Sequence, residues 1–193
     1  MSMMNAISTV NSVQEILLEN FPKLEPGGII ADTSLRSYRS DCQIGMFKLG
    51  ASTMKGQKLD MELIAAQLNI GEYFGYPPNM RWLAILFVDI EGVVSTVLFK
   101  TESLDNFLQL QIATRLKNES LIGKTVRATM SKRSSRANGN SYFAVEFEIL
   151  NANKKGKFFS AIQDFRQNYY HPGMIQLLES KTANNQPALE NNK

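Results

Sequence analysis

The stretch Leu121–Leu150, LIGKTVRATMSKRSSRANGNSYFAVEFEIL, determines how we interpret the rest of the chain. Apolar and polar residues alternate on both sides of a central polar segment; the apolar ones are Val126, Ala128, Met130, Phe143, Val145, Phe147 and Ile149. Such alternation puts one set of residues on each face of a pleated strand. The central segment, SKRSSRANGNS (131–141), is rich in Ser, Asn and Gly, which favour loops. The stretch therefore predicts a β-hairpin with a long polar loop.

This loop is also basic. It contains Lys132, Arg133 and Arg136 and no acidic residue, so its charge of +3 equals the formal net charge of the whole chain. A cationic loop at the tip of a hairpin suits contact with a polyanion, although cations of this kind also serve simply to keep a surface loop solvated.

Composition excludes several classes of protein. The chain has 193 residues, 44% hydrophobic and 20% charged, which is typical of a soluble globular domain with tails. No apolar run reaches the roughly 18 residues of a transmembrane helix, so we expect no membrane partner. A single cysteine, Cys42, and an N-terminus without signal-peptide features predict a cytoplasmic protein.

The sequence offers little support for catalysis. Its one histidine, His171, leaves little scope for a zinc site or a histidine-based triad. The GKT at 123–125 lacks the upstream glycine of a phosphate-binding loop, because residue 118 is Asn. We therefore expect no enzyme activity, no metal and no cofactor.

The chain before the basic hairpin predicts four more strands and a helix. Strands are expected at Ile44–Leu49 and Leu59–Leu68, and a hairpin at Trp82–Lys100 with Glu91-Gly92 as its two-residue turn. That turn would place Trp82, Ala84, Leu86 and Phe99 on a core face and Phe87 and Lys100 on the outer face. Ser103 is expected to cap a helix from Leu104 to about Asn118. The loop Asn69–Arg81 is unusually aromatic, with Tyr73, Phe74 and Tyr76.

These elements divide the chain into four predicted parts. Residues 1–43 form an N-terminal arm with a short amphipathic helix, and residues 44–150 form a barrel. Residues 151–180 form an aromatic and helical C-terminal extension, and the polar residues 181–193 are expected to be a disordered tail.

From Leu59 the element order is three strands, a helix and two strands, which resembles the OB-fold, a five-stranded Greek-key barrel. The resemblance covers about residues 57–150 and depends on element order and loop chemistry. It implies a mostly β fold with N- and C-terminal helical extensions. It also implies a ligand lying across strands two and three, between the aromatic loop and the basic loop.

Among OB-folds, this combination of aromatic and basic loops resembles the single-stranded DNA-binding proteins of replication, recombination and repair. The resemblance implies binding of single-stranded DNA or RNA with little sequence preference, through stacked aromatics and cations along the phosphates. The implied nucleic-acid-binding residues are Lys132, Arg133, Arg136, Tyr73, Phe74, Tyr76, Phe87, Lys100 and Arg127. The sequence ends ALENNK, without the acidic tail through which bacterial proteins of this kind recruit partners.

Several alternatives stay open on the sequence alone. The loop aromatics could plug the end of the barrel, and Arg127 could pair with Glu146 across the hairpin. The apolar outer face, which includes Ile85 and Leu98, could be covered by a terminal segment or by a second subunit in a homo-oligomer. The main rival function is therefore a protein-interaction or assembly module of a multisubunit or phage complex.

Overall fold

The computed structural model describes residues 36–71, 73–135, 139–150 and 154–170. These residues form a mostly β structure of eight strands and two helices. The strands are β1 Arg36–Asp41, β2 Met46–Leu49, β3 Thr53–Gly56, β4 Lys58–Ile70, β5 Arg81–Val88, β6 Val94–Lys100, β7 Thr125–Ser134 and β8 Ser141–Ile149. The helices are α1 Thr101–Arg115 and α2 Phe159–Asn168.

All eight strands belong to one strongly curled, half-barrel sheet with the order β3-β2-β1-β6-β5-β4-β7-β8. The prediction of a mostly β fold is confirmed, but the prediction of five strands is wrong. Strands β4, β5 and β6 follow one another through hairpins, and β7 returns after α1 to pair with β4. Four strands in the spatial order fourth, first, second, third form a Greek key.

The additional strands form an N-terminal meander, β1-β2-β3, which joins the sheet through parallel pairing of β1 with β6. The sheet therefore begins at Arg36, inside the segment that the sequence assigned to the N-terminal arm. Tyr38 is the buried residue of β1, and its ring lies 5.6 Å from that of Phe87. The predicted N-terminal helix and the tail at 181–193 lie outside the described residues.

The β5–β6 hairpin differs by one residue from the predicted register. Val88 pairs with Val94, and a three-residue loop, Ile90 to Gly92, connects Asp89 to Val93. Gly92 has a φ of 84°, the left-handed conformation typical of three-residue hairpin loops. The buried Asp89 carboxylate fixes the loop by accepting hydrogen bonds from the backbone of Glu91 and Val93, at 2.9 and 3.0 Å.

Because of this register, Phe99 shares a face with Phe87, contrary to the prediction that Phe87 lies on the outer face. Phe87 is fully buried in the interior cluster of the curled sheet, so it is unavailable as a stacking platform. The opposite face is covered as well, because α2 packs onto it. That outer cluster contains Ile64, Ala65, Ala84, Leu86, Val88, Val94, Phe158, Ile162 and Phe165.

Helix α1 packs mainly against the edge strand β8. Ser103 is not the helix cap that we predicted, since α1 begins at Thr101. Its hydroxyl oxygen instead accepts a hydrogen bond of 2.9 Å from the backbone N–H of Val145. The Asn106 amide donates to the Val145 carbonyl, also at 2.9 Å. Both outward backbone groups of Val145 are thus satisfied by α1, which protects this edge from pairing with another strand.

Candidate functional site

The aromatic loop between β4 and β5 packs around Trp82, the only tryptophan of the chain. Trp82 is buried, and its indole N–H donates to the Gly71 carbonyl at 3.1 Å. Tyr73, Phe74 and Tyr76 contact it edge-on, with ring centroids 5.4, 5.9 and 5.6 Å from that of Trp82. Phe74 and Tyr76 nevertheless remain 43% and 38% exposed. The loop therefore covers Trp82 and still presents two rings to solvent.

Each of these two exposed rings has a cation against one face. The Lys100 ammonium lies 3.0 Å from the ring centroid of Tyr76, and the Arg39 guanidinium carbon lies 4.5 Å from that of Phe74. Cation–π contacts of this kind are favourable and hold the cation in place. In the described part of the chain, neither Lys100 nor Arg39 makes an ion pair with a carboxylate. Their positive charge is therefore available to an anionic ligand.

The basic hairpin is less cationic than its sequence suggests. Arg133 forms ion pairs with Glu146 and, at 2.9 Å, with Glu102 of α1. The Tyr142 hydroxyl donates to the same Glu102 carboxylate at 2.6 Å. These two contacts lower the pKa of Glu102, so it keeps its negative charge beside the hairpin. Lys132 is exposed and makes no ion pair among the described residues.

Arg136 lies outside the described residues, so its position stays a prediction.

The aromatic loop and the basic hairpin both contact the junction between β6 and α1. Tyr76 contacts Lys100 at the end of β6, and the hairpin contacts Glu102 two residues later. Thr101, between them, has a φ of 50°, a left-handed conformation that is unfavourable for a β-branched residue. Phe74 has a φ of 55°. Backbone strain of this kind occurs preferentially at functional sites.

We call the cationic and aromatic groups around this junction the cation–aromatic cluster: Arg39, Tyr73, Phe74, Tyr76, Trp82 and Lys100. Arg39 and Trp82 were not among the predicted binding residues. Trp82 was assigned to packing, and its burial agrees with that role. Nothing in the local pattern singles out Arg39, because parallel pairing with a strand far along the sequence brings it to the cluster.

Arg127 is not part of the cluster. Its guanidinium makes a bidentate ion pair with Asp60 of β4, at 2.7 and 2.8 Å, and this contact raises the pKa of Arg127. The residue opposite Arg127 on β8 is Glu148, whereas the predicted partner Glu146 lies opposite Thr129. An ion pair explains Arg127 as we considered, but with a carboxylate from a different strand.

Among residues 36–71, 73–135, 139–150 and 154–170, His, Cys, Asp and Glu do not gather in groups of three or more that could hold a metal ion. No helix within those ranges is long and apolar enough to cross a membrane.

The chain matches no protein-family model, and no curated protein is significantly similar to it.

Proposed function

We propose that this protein binds single-stranded nucleic acid in the cytoplasm, DNA in the first place, with little sequence preference. The observation that carries the proposal is the cation–aromatic cluster, in which Phe74 and Tyr76 are exposed and each has a cation against its ring that makes no ion pair among the described residues. Every base offers a π-face to an aromatic ring, and a nearby lysine or arginine can contact the phosphate of the same strand. Duplex DNA keeps its bases stacked, so it cannot use the rings in this way.

The strand order is compatible with an OB-like arrangement. In this proposal the Greek key formed by β7, β4, β5 and β6, extended by β8, takes the place of the five OB strands, with β5 and β6 as strands two and three. In OB-folds the loops after strands one and four border the ligand, and here those loops follow β4 and β7. The N-terminal meander is an addition to this arrangement.

The proposed binding surface is short. Much of the outer face of β5 and β6 lies beneath α2, where Leu86 and Val94 are buried. The end of these strands that carries Trp82 and Lys100 is bordered instead by the partly exposed aromatic loop. We therefore propose that the bound nucleic-acid strand passes over the cation–aromatic cluster and continues toward Lys132, rather than along the whole sheet.

Titration with fluorescently labelled oligo-dT, followed by anisotropy at several salt concentrations, tests this proposal. We expect saturable binding. The logarithm of the association constant should fall linearly with the logarithm of the salt concentration, with a slope of about 0.7 for each phosphate contacted on a single strand. A duplex of the same length is the control and should bind more weakly. Emission from Trp82 should also change on binding, since it is the only tryptophan and lies within the cluster. Absence of saturable binding at low salt would refute the proposal.

An assembly module is the second candidate, and one observation favours it. Ile112 of α1 and Leu116, the residue directly after α1, are 59% and 81% exposed, so two apolar side chains one turn apart face solvent. A second copy of the chain or a protein partner could cover these two side chains. Sedimentation of the wild type and of Leu116→Lys would detect self-association: a smaller species for the variant supports a homo-oligomer, and identical monomers argue against it.

A further inference from the structure

Arg39 has an unusual environment for a positively charged residue. It lies on β1 opposite Leu98 of β6, on the outer face of the sheet, while its neighbour Tyr38 lies on the buried inner face. One guanidinium nitrogen, Nη2, is buried and has no hydrogen-bond partner among the described residues. Burial also lowers the pKa of Arg39. Arginine nitrogens that are removed from water normally find an acceptor, because an unmet buried donor is unfavourable.

The ring against this guanidinium belongs to Phe74, whose backbone conformation and ring exposure are both unfavourable. Phe74 has a left-handed backbone conformation and keeps a large apolar ring 43% exposed. A phosphate would supply an acceptor for Nη2 of Arg39, which has none among the described residues, and a base would cover the ring that Phe74 exposes. Both unfavourable features would be relieved by one ligand that carries a phosphate and a base side by side.

We infer that Arg39 and Phe74 together form a site for one nucleotide unit of a single strand, with the phosphate on Arg39 and the base on Phe74. This inference rests on the proposed function. The Phe74 ring shifts from the guanidinium onto the base, and the guanidinium forms a forked, charge-assisted pair with the phosphate oxygens. The N-terminal meander thereby contributes a binding residue from outside the five strands of the OB-like arrangement.

The test compares two ligands of equal length: oligo-dT and an abasic oligonucleotide, which keeps the phosphates and lacks the bases. Arg39→Met removes the charge and should weaken both ligands, lowering the salt slope by about 0.7. Phe74→Ala should weaken oligo-dT roughly 5- to 150-fold, the range of one lost stacking contact, and leave the abasic ligand unchanged. Arg115→Met is the matched control. Arg115 is exposed at the C-terminal end of α1, about 21 Å by helix rise from the first residue of that helix, which adjoins the cluster.

A further variant, Arg39→Lys, separates charge from geometry and serves if Arg39→Met fails to fold. It should keep the salt slope and lose affinity, because an ammonium cannot form the forked pair. If wild-type protein binds oligo-dT but Arg39→Met, or Arg39→Lys in its place, matches wild type in affinity and slope, the inference is wrong and the proposed function stands. If wild-type protein does not bind oligo-dT at all, both are wrong.

Discussion

Replacing Phe87 by alanine tests the register of the β5–β6 hairpin, on which the position of the proposed site depends. Phe87 is fully buried in the interior cluster and packs against Tyr38. Truncating a buried phenylalanine typically lowers the free energy of unfolding by about 3–5 kcal/mol, through lost burial and the cavity that remains. For a chain of this size, each kcal/mol corresponds to a change of about 2–4 °C in Tm, so the expected fall is roughly 6–20 °C.

The assay pairs a thermal melt with an oligo-dT titration at a temperature where the variant is folded. We expect Phe87→Ala to bind with wild-type affinity, because its ring is inaccessible to a ligand. Phe74→Ala is the matched control, an exposed aromatic of the same type. It should lose oligo-dT affinity and change stability by only about 0.5–1.5 kcal/mol, the range for one aromatic pair with Trp82.

The opposite pattern would refute the reasoning. If Phe87→Ala keeps its Tm and loses affinity, the ring faces outward, as the two-residue turn at Glu91-Gly92 would require. The register of β5 against β6 would then be displaced by one residue, and every side chain of one strand would exchange faces. The assignment of Trp82 and Lys100 to one face would fail at the same time.

Three further predictions address charge, packing and pH. Lys132→Gln should lower the salt slope of oligo-dT binding by about 0.7. Arg133→Gln should leave the slope unchanged, because Arg133 is already ion-paired with Glu102 and Glu146. The same slope in both variants would contradict this prediction. In Gly156→Ala the new Cβ would clash with the Glu62 carboxylate, which accepts hydrogen bonds from the backbone of Lys157 and Phe158 just before α2. Loss of these charge-assisted hydrogen bonds should lower Tm by roughly 3–12 °C. An unchanged Tm would show that Glu62 does not stabilise the start of α2. Burial and Asp89 raise the pKa of Tyr38 from 10.0 to about 12. The contribution of Tyr38 to the free energy of unfolding is therefore fully present below pH 10.0 and is lost as pH rises through about 12. In urea unfolding, Tyr38→Phe should lose less stability than wild type over this pH range, because it has no hydroxyl to ionise.

The parts of the fold that local pattern determines could be predicted from the sequence. Strict alternation in β7 and β8 indicates a hairpin, and the structure forms that hairpin from Thr125 to Ile149. The Gly and Pro residues of the aromatic loop likewise mark the connection between β4 and β5. In both cases the signal is contained within about twenty residues of sequence, so no distant partner is needed to interpret it.

The parts that depend on distant partners could not be predicted in this way. Strand β1 is mostly polar and has one buried residue, Tyr38, so no alternation distinguishes it from a loop. Its strand conformation comes from parallel pairing with β6, more than fifty residues later in the chain. The hairpin register similarly depends on the side chain of Asp89, which stabilises a three-residue loop where the composition suggested two.

The distribution of charge shows why counting cations along the sequence overstates the basic hairpin. Glu102 of α1 and Glu146 of β8 form ion pairs with Arg133, and Asp60 of β4 forms one with Arg127. Arg39 and Lys100 of the cation–aromatic cluster make no ion pair with a carboxylate of the described residues, and both lie against aromatic rings. We therefore expect binding to depend more on stacking than on phosphate contacts. Loss of either exposed ring should then reduce affinity more at high salt than loss of Lys132, because stacking is not weakened by counterions.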